Sequence, residues 1–177
     1  MTESMAIPTT ETEFRPGARL FWGKQNVMRV LSVDRENDTA LVIADKPVCD
    51  RRYHEEWEAV TWEHCSLRKW LNGAYFNETF SEEEKAAIIE TRLTNADNPQ
   101  YGTRGGNDTT DRIFLLSIEE AEKYFSGDAD RATGEWWWLR SPGDYSLYAA
   151  YVNYGGGIVN GSCSVGIHGS VPERLDA

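Results

Sequence analysis

The first regular pattern of apolar positions lies between residues 27 and 44. Residues 27–33 and 39–44 are apolar and rich in β-branched side chains, and residues 34–38 between them are polar. Such runs on either side of a polar loop are typical of a β-hairpin. Residues 1–13 are rich in Thr and Glu and have no periodic apolar face, which indicates a flexible leader. A single folded domain is therefore expected over residues 14–177.

A helical pattern follows in the middle of the chain. Leu67, Trp70 and Leu71 stand at positions i, i+3 and i+4, a spacing that places them on one face of a helix. Gly73 stands where a helix commonly ends. The pattern predicts a short helix over residues 62–72.

Two capping-box patterns predict two more short helices. Ser81 precedes Glu84 by three residues, and Ser117 precedes Glu120 in the same way. In such a box the hydroxyl and the carboxylate satisfy free backbone N–H groups at the helix start. Between the two boxes, residues 94–111 are dense in Asn, Asp, Gly and Thr. A polar loop of this length is expected to be ordered, and either to bind something or to be held down.

Two compact apolar runs, residues 113–116 and 136–139, are predicted to be buried strands. The second contains three consecutive tryptophans, whose rings would project to alternate faces of a strand. They are expected to form core, with an aromatic binding platform as the alternative. Arg140 follows the run and is expected to pair with a carboxylate at the edge of that core. Helices in the centre and strands at both ends favour an α+β fold with small antiparallel sheets.

Charge and composition narrow the classes of function. The 18 basic and 29 acidic residues give a formal net charge of −11, so we expect no nucleic-acid partner. No apolar window approaches the length of a membrane span, and the first 14 residues lack the features of a secretory signal. We therefore expect no membrane partner and a cytoplasmic location, with export by other machinery left open.

The three cysteines, Cys49, Cys65 and Cys163, are an odd number at wide spacing. This argues against a disulfide framework and favours reduced thiols. Cys49 and Cys65 could form a zinc site with His54 and His64, although their spacing fits none of the usual zinc patterns. The simpler prediction is that no metal is bound.

Catalytic and cofactor patterns are weak. Cys163 and His168 could act as nucleophile and base, but no third orienting group is marked. Several oxygen-bearing side chains of the polar loop could bind calcium or could simply form turns: Asp97, Asn98, Asn107, Asp108 and Asp111. We expect no cofactor and no enzymatic activity.

The carboxy-terminal segment, residues 143–170, differs in composition from the rest of the chain. Its 28 residues include seven Gly, four Tyr and four Ser, and Asp144 is its only Asp, Glu, Lys or Arg. Rigid Tyr rings combined with adaptable Ser, Gly and Asn are typical of antibody binding surfaces. Alternation from Tyr148 to Tyr154 predicts a strand with one packed face and one face offered to a ligand, followed by a turn at residues 155–157.

The predicted ligand-binding residues of this segment are Tyr145, Tyr148, Tyr151, Asn153, Tyr154, Asn160, Ser162, Ser164, His168 and Ser170. The alternative is a Gly-rich β-meander whose tyrosines complete the core. Composition alone favours neither interpretation.

Several phrases of the chain together resemble a bacterial domain family of unassigned function, over roughly residues 14–172. The most specific are residues 113–117, Ile-Phe-Leu-Leu-Ser, and residues 137–142, Trp-Trp-Leu-Arg-Ser-Pro. The others are Ser66, Arg68, Trp70, Leu71 and Asn72, then Phe80, Ser81 and Glu84, and residues 148–152, Tyr-Ala-Ala-Tyr-Val. Members of this family usually end in Gly-Val-Arg-Pro, whereas this chain has Gly-Ser-Val-Pro at residues 169–172. This departure bears on how the last strand pairs with the amino-terminal strands.

That family is similar to the C-type-lectin-like fold, in the branch of formylglycine-generating enzymes and of the variable proteins of diversity-generating retroelements. In the variable proteins a carboxy-terminal segment displays the ligand-contacting residues, which implies such a role for residues 144–170. Diversified Asn codons cannot give Lys, Glu, Gln, Met or Trp, and none of these occurs between Gly143 and Pro172. The catalytic cysteines of the enzyme branch match no motif here.

The resemblance and the composition both predict a non-enzymatic domain that binds a protein or a cell-surface glycan. Two alternatives stay open. One is a cysteine- or metal-dependent enzyme, and the other is a structural interaction module. The sequence leaves the oligomeric state undetermined.

Overall fold

Strands account for most of the regular structure. The computed structural model describes residues 14–24 and 26–171 and the backbone of residues 174–176, but not the side chains of Ser162 and Ser170. The predicted leader lies outside the described residues. The strands are β1 (Arg19–Trp22), β2 (Asn26–Asp34), β3 (Thr39–Ala44), β4 (Cys49–Arg52), β5 (Thr91–Leu93), β6 (Thr109–Asp111), β7 (Trp137–Pro142), β8 (Tyr148–Val152), β9 (Ile158–Ser164), β10 (His168–Val171) and β11 (Arg174–Asp176).

Short helices lie between the strands. They are α1 (Ser66–Trp70), α2 (Phe76–Thr79), α3 (Glu82–Ala87), α4 (Ile118–Tyr124) and α5 (Asp128–Arg131), with a π-helical turn (Leu71–Tyr75) joining α1 to α2. Both capping boxes are confirmed at the starts of α3 and α4, where Ser81 and Ser117 exchange hydrogen bonds with Glu84 and Glu120.

The predicted hairpin is confirmed. β2 and β3 pair antiparallel, with a bulge between Val30 and Ser32, and they form the centre of a four-stranded sheet with the order β1-β2-β3-β11. β11 lies antiparallel to β3. The last strand therefore pairs with the amino-terminal strands even though the chain departs from the usual family ending just before it.

The first helix differs from its prediction at both ends. It begins later, because the Cys65 thiol caps it by accepting a hydrogen bond from the Arg68 N–H at 3.4 Å. It does not end at Gly73, which adopts ordinary backbone angles inside the π-helical turn. The continuation brings the Tyr75 ring to 4.7 Å from the Trp70 ring. Aromatic packing thus extends the helix past the glycine.

Residues 113–116 are buried as predicted, but they do not form a strand. The Asn72 carboxamide replaces a neighbouring strand, since its Oδ1 accepts from the Ile113 N–H at 3.1 Å and its Nδ2 donates to the Ile113 carbonyl at 2.8 Å. The Arg140 guanidinium donates to the Leu115 carbonyl at 2.9 Å. Backbone groups that a strand ladder would satisfy are satisfied here by side chains.

The second sheet has five strands in the order β4-β10-β7-β8-β9. Only β10 and β7 pair parallel. Trp137 and Trp138 of β7 are buried on opposite faces, where they contact Phe125 and Tyr53 at ring separations of 6.4 and 5.6 Å. The run of tryptophans is therefore core, as expected, and only Trp136 is half-buried.

Small, mainly antiparallel sheets with a few short helices make an α+β fold, which confirms the predicted fold class at that level. The longest helix of the described residues is α4, with seven residues. None of the helices in this part of the chain is long and apolar enough to cross a bilayer.

Candidate functional site

The predicted binding segment follows β7, β8 and β9, and its exposed tyrosines lie at two separate ends of β8. β8 has five residues, so its ends lie roughly 13 Å apart. We call the β7–β8 connection, residues 143–147, the Tyr145 end, and the β8–β9 turn, residues 153–157, the Tyr154 end. Tyr145 is 67% exposed and Tyr154 is 66% exposed. Each ring is therefore available to a ligand.

A single buried side chain holds the Tyr145 end. Asn98, in the long polar loop, is 2% exposed. Its Oδ1 accepts from the backbone N–H groups two and three residues later, at 2.9 and 3.0 Å. Its Nδ2 donates to three carbonyls at 2.8, 3.3 and 3.0 Å, which belong to Pro142, Gly143 and Asn160. The predicted order of the loop is thus confirmed, because Asn98 fastens its tip to β7 and β9.

The clamped loop brings Tyr101 to the same surface. Tyr101 is 50% exposed, and a Cβ atom built on Gly161 would lie 3.8 Å from its hydroxyl. Thr103 Oγ1 donates to the Asp144 carbonyl at 2.8 Å, which ties the loop to the Tyr145 end. No sequence pattern singled out Tyr101. The only signal was its position in a polar loop of unusual length.

A bulge in β9 completes this surface. β8 advances by two residues while β9 advances by four, from Val159 to Cys163. The extra length lies at residues 160–162, where Asn160 Nδ2 donates to Gln100 Oε1 at 3.2 Å. A β-bulge re-aims side chains away from the regular ladder. Asn160 therefore contacts the polar loop, beside Tyr101.

The Tyr154 end is a tight turn that contacts α5 on one side. Asn153 Oδ1 accepts from the N–H groups of two glycines in the turn, at 2.9 and 3.0 Å. Gly156 has a φ of 85°, and a Cβ atom there would lie 1.7 Å from the Asp128 carbonyl oxygen, so only glycine fits. Arg131 Nε donates to the Gly156 carbonyl at 2.8 Å. The turn backbone is fixed, while Tyr154 projects from it.

The two remaining tyrosines are half-buried. Tyr148 meets Tyr145 edge to face at 6.3 Å, and Tyr151 meets Trp136 in the same way at 5.4 Å. Burial raises the pKa of Tyr151. The other three residues of β8 are buried, so the prediction of one free strand face is wrong. Ala149 lies on one face of β8, and Ala150 and Val152 lie on the other, so buried residues occupy both faces.

The remaining predicted ligand-binding residues are dispersed. Ser164 is half-buried and pairs with Tyr148, so it lies toward the Tyr145 end. His168 is exposed on β10, two strands away from β8, with Nδ1 at 3.8 Å from Asp50 Oδ2. Ser162 and Ser170 lie in β9 and β10, and their side chains are outside the described part of the chain.

The proposed nucleophile and base do not meet. Cys163 lies on β9, three strands away from His168 on β10. Burial raises the pKa of Cys163 to about 12, and burial does the same for Cys65. Because the thiolate is the nucleophile, both cysteines are poorly reactive at neutral pH.

The residues considered for metal sites serve the fold. Among the described residues, no group of three or more His, Cys, Asp and Glu is placed to hold a metal ion. His54 Nδ1 accepts from the Ser66 N–H at 3.1 Å, and its Nε2 lies 3.3 Å from Glu58 Oε1. Asp97, one of the candidate calcium ligands, accepts from the Gly105 N–H at 3.0 Å.

The other candidate calcium ligands of the polar loop have partners of the same kind. Asp111, which is 2% exposed, accepts from Trp62 Nε1 at 2.9 Å and from Arg68 Nε at 2.6 Å. Asp108 accepts from the Asn95 N–H at 3.4 Å. These carboxylates and amides therefore act as turn and core partners, which is the second interpretation of the sequence.

The carboxylate partner expected for Arg140 is Glu120. Arg140 Nη1 donates to Glu120 Oε2, and the same carboxylate accepts from the Ser117 N–H at 2.8 Å. The capping box of α4 and the edge of the tryptophan core therefore share one ion pair, in which the Arg140 side chain is only 4% exposed.

The chain matches the model of a known protein family. Neither a curated protein nor a solved structure matches the chain, so the C-type-lectin-like assignment stays a prediction. The family model described as "Domain of unknown function (DUF6273)" matches residues 37–171. The match covers more than half of the chain and contains the polar loop and both ends of β8. The chain belongs to the DUF6273 family of domains of unknown function.

Proposed function

We propose that this chain is a non-enzymatic domain that binds a protein or glycan ligand at the Tyr145 end of the five-stranded sheet. One observation carries the proposal: Tyr145 is 67% exposed, and the start of its connection is fixed by the buried Asn98, which donates to the Pro142 and Gly143 carbonyls and to the Asn160 carbonyl of β9. A ring that is already held in place loses little freedom on binding.

The surroundings of Tyr145 support the same function. Tyr148, Tyr101 and Asn160 lie near this end, and they add aromatic and amide groups to it. Asp144 is the only Asp, Glu, Lys or Arg of residues 143–170. A ligand therefore meets rings and amides in this segment, which cost less to desolvate than charges do.

The finer proposal is that the fold is C-type-lectin-like and that residues 144–170 are a retroelement-diversified segment. Their composition supports this, since the five residue types that diversified Asn codons cannot give are absent. Sequencing of the region around the gene tests the idea. A reverse-transcriptase gene and a near-copy of this segment are expected, and their consistent absence from complete genomes would contradict it.

Binding to arrays of glycans and of purified surface proteins tests the proposed function. The wild type is expected to bind a defined subset of spots, and Tyr145→Ala to weaken that binding at least tenfold while thermal stability stays unchanged. Tyr145→Phe is the matched control, because it keeps the ring and removes only the hydroxyl. Absence of binding by the wild type, or full binding by Tyr145→Ala, would refute the proposal.

A further inference from the structure

A cleft of about 650 Å³ lies next to the Tyr145 end. Glu58, Thr61, Lys69, Arg104 and Ser146 contribute to its lining, together with the two histidines 54 and 64. Two other cavities, of about 340 and 310 Å³, are smaller. The volume of the cleft falls in the range of small-ligand sites, roughly 300–1,000 Å³.

Backbone contacts join this cleft to the Tyr145 end. The Val60 N–H donates to the Ser146 carbonyl at 3.1 Å, and Ser146 directly follows Tyr145. The polar loop contributes Arg104 to the lining, and Asn107 Nδ2, three residues later in the same loop, donates to Glu63 Oε1 at 3.2 Å. The same loop that positions Tyr101 therefore supplies a wall of the cleft.

The cations of the cleft stand out in a strongly acidic chain. Lys69 and Arg104 are exposed, and neither has an ion-pair partner among the described residues. Elsewhere in this part of the chain, many cations are paired with carboxylates, such as Arg68 with Asp111. Two unpaired cations lining one cleft provide a site for an anionic group.

The cleft also offers hydrogen-bond acceptors. Because His54 Nδ1 accepts from a backbone N–H at 3.1 Å, the proton of the neutral ring lies on Nε2, which faces Glu58 Oε1 at 3.3 Å. The Glu58 carboxylate is thus oriented by His54 while its side chain stays 68% exposed. The hydroxyls of Thr61 and Ser146 add both donors and acceptors.

An exposed aromatic residue stands next to Glu58. Trp57 is 73% exposed, and its indole has no hydrogen bond or ring contact within the described residues. Tryptophan is usually well buried. Trp57 is not part of the cleft lining, but it directly precedes Glu58 in the chain. Its bare indole ring presents a flat apolar face of the kind on which a sugar ring stacks.

We propose that this cleft binds the carboxylate-bearing sugar of an acidic polysaccharide. Lys69 and Arg104 contact the carboxylate, the oriented Glu58 accepts hydrogen bonds from sugar hydroxyls, and Trp57 covers one ring face. The inference rests on the proposed binding function and names its ligand class. An acidic peptide fits less well, because Ala59 and Val60 are the only apolar side chains of the lining and the cleft has no strand edge for main-chain pairing.

Titration calorimetry with short oligosaccharides tests this inference on the full chain. The probes are oligogalacturonate, alginate and hyaluronan oligosaccharides, with methyl-esterified oligogalacturonate as the neutral match and poly-glutamate as the acidic peptide. The wild type is expected to bind at least one of the acidic sugars, and to bind the ester and poly-glutamate at least tenfold more weakly.

Variants then locate the site. Lys69→Gln and Arg104→Gln are each expected to lower the affinity at least fivefold, and Trp57→Ala at least tenfold, without change in thermal stability. Lys46→Gln is the matched control, because Lys46 is an exposed lysine that lines a different cavity, beside Asp130. Its affinity is expected to stay within twofold of the wild type.

Two kinds of result would overturn the inference. Either none of the acidic sugars binds, or the binding is unchanged in Lys69→Gln and Arg104→Gln. Stronger binding of poly-glutamate would assign the cleft to an acidic protein instead. If the array ligands still require Tyr145, the inference alone fails and the proposed function stands. If the Tyr145 dependence is also missing, both fail.

Discussion

Tyr145 and Tyr154 are about equally exposed at the two ends of β8, but different hydrogen bonds hold the backbone around each of them. At the Tyr145 end, the buried Asn98 donates to one carbonyl of β7, one of the β7–β8 connection and one of β9. At the Tyr154 end, Asn153 accepts hydrogen bonds only from backbone N–H groups of its own turn. Arg131 donates one hydrogen bond to a carbonyl of that turn. The first end gathers distant segments into one surface, whereas the second presents one side chain. Exposure alone therefore does not make a binding surface.

The largest expected effect comes from the clamp. Asn98→Ala leaves buried carbonyl and N–H groups without partners, and we expect it to lower the free energy of unfolding by about 3 kcal/mol. Asn153→Ala is the matched change at the other end, where its acceptor role is partly exposed, and it should cost about 1 kcal/mol. Urea unfolding measures both. Equal losses would show that the two ends are built alike.

An ion pair joins β2 to α5, the helix whose Arg131 bonds to the turn of the Tyr154 end. Arg29 binds both oxygens of Asp130 at 2.6 and 3.1 Å, and it holds the pKa of Asp130 well below its usual range. This stabilisation is present above the ordinary Asp pKa, near 4, and is lost as the pH falls below it.

Asp130→Asn should therefore cost about 2 kcal/mol at neutral pH. It should also lose less stability than the wild type when the pH falls from 5 to 2, as thermal unfolding would show. A parallel decline of the two proteins would mean that the Arg29–Asp130 pair does not stabilise the folded protein.

Tyr151 packs against Trp136, whereas Tyr145 is exposed, although both lie in the same segment. Tyr151→Ala removes a half-buried ring from Trp136 and is expected to cost about 1.5 kcal/mol. Tyr145→Ala is expected to stay within about 0.5 kcal/mol of the wild type, as exposed substitutions usually do. Circular dichroism during urea unfolding compares the two. A large loss for Tyr145→Ala would place that ring in the core.

The smallest expected effect is on the reactivity of the cysteine thiols. With pKa values raised to about 12, Cys65 and Cys163 should stay protonated at pH 8 and should not react with an aromatic disulfide reagent in the native state. A Cys49→Ala variant isolates these two, and urea-unfolded protein provides the reactive control. Rapid labelling of native Cys163 would favour the cysteine-dependent alternative.

Local chemistry made much of the fold predictable. The β-branched runs correctly predicted the hairpin, and the Ser and Glu pairs correctly predicted the starts of α3 and α4. Trp137 and Trp138 are part of the core, as expected. The strand over residues 113–116 was wrong because its partner is not a strand but the Asn72 carboxamide, from a distant helix. No pattern among neighbouring residues in the sequence predicts such a contact.

The candidate site was predictable only in part. Composition marked Tyr145 and Tyr154 as display residues, and both are exposed. It did not reveal that Tyr151 packs against Trp136, because that contact depends on β8 pairing with β7 so that Tyr151 lies opposite Trp138. It also missed Tyr101 and Arg104, which the polar loop brings toward the Tyr145 end, and Trp57, which lies three residues before Val60.

The central claim is that ligand binds at the Tyr145 end and not at the Tyr154 end. Amide and indole NMR shifts of the wild type, recorded while the acidic oligosaccharides are added, test it most directly. The account predicts that the largest shifts fall on residues 101–104, on residues 143–148 and on the Trp57 indole, with residues 153–157 unchanged. Shifts centred on residues 153–157 would contradict it, whereas no shifts with any of these sugars would overturn the choice of ligand and require the same titration with the array ligands.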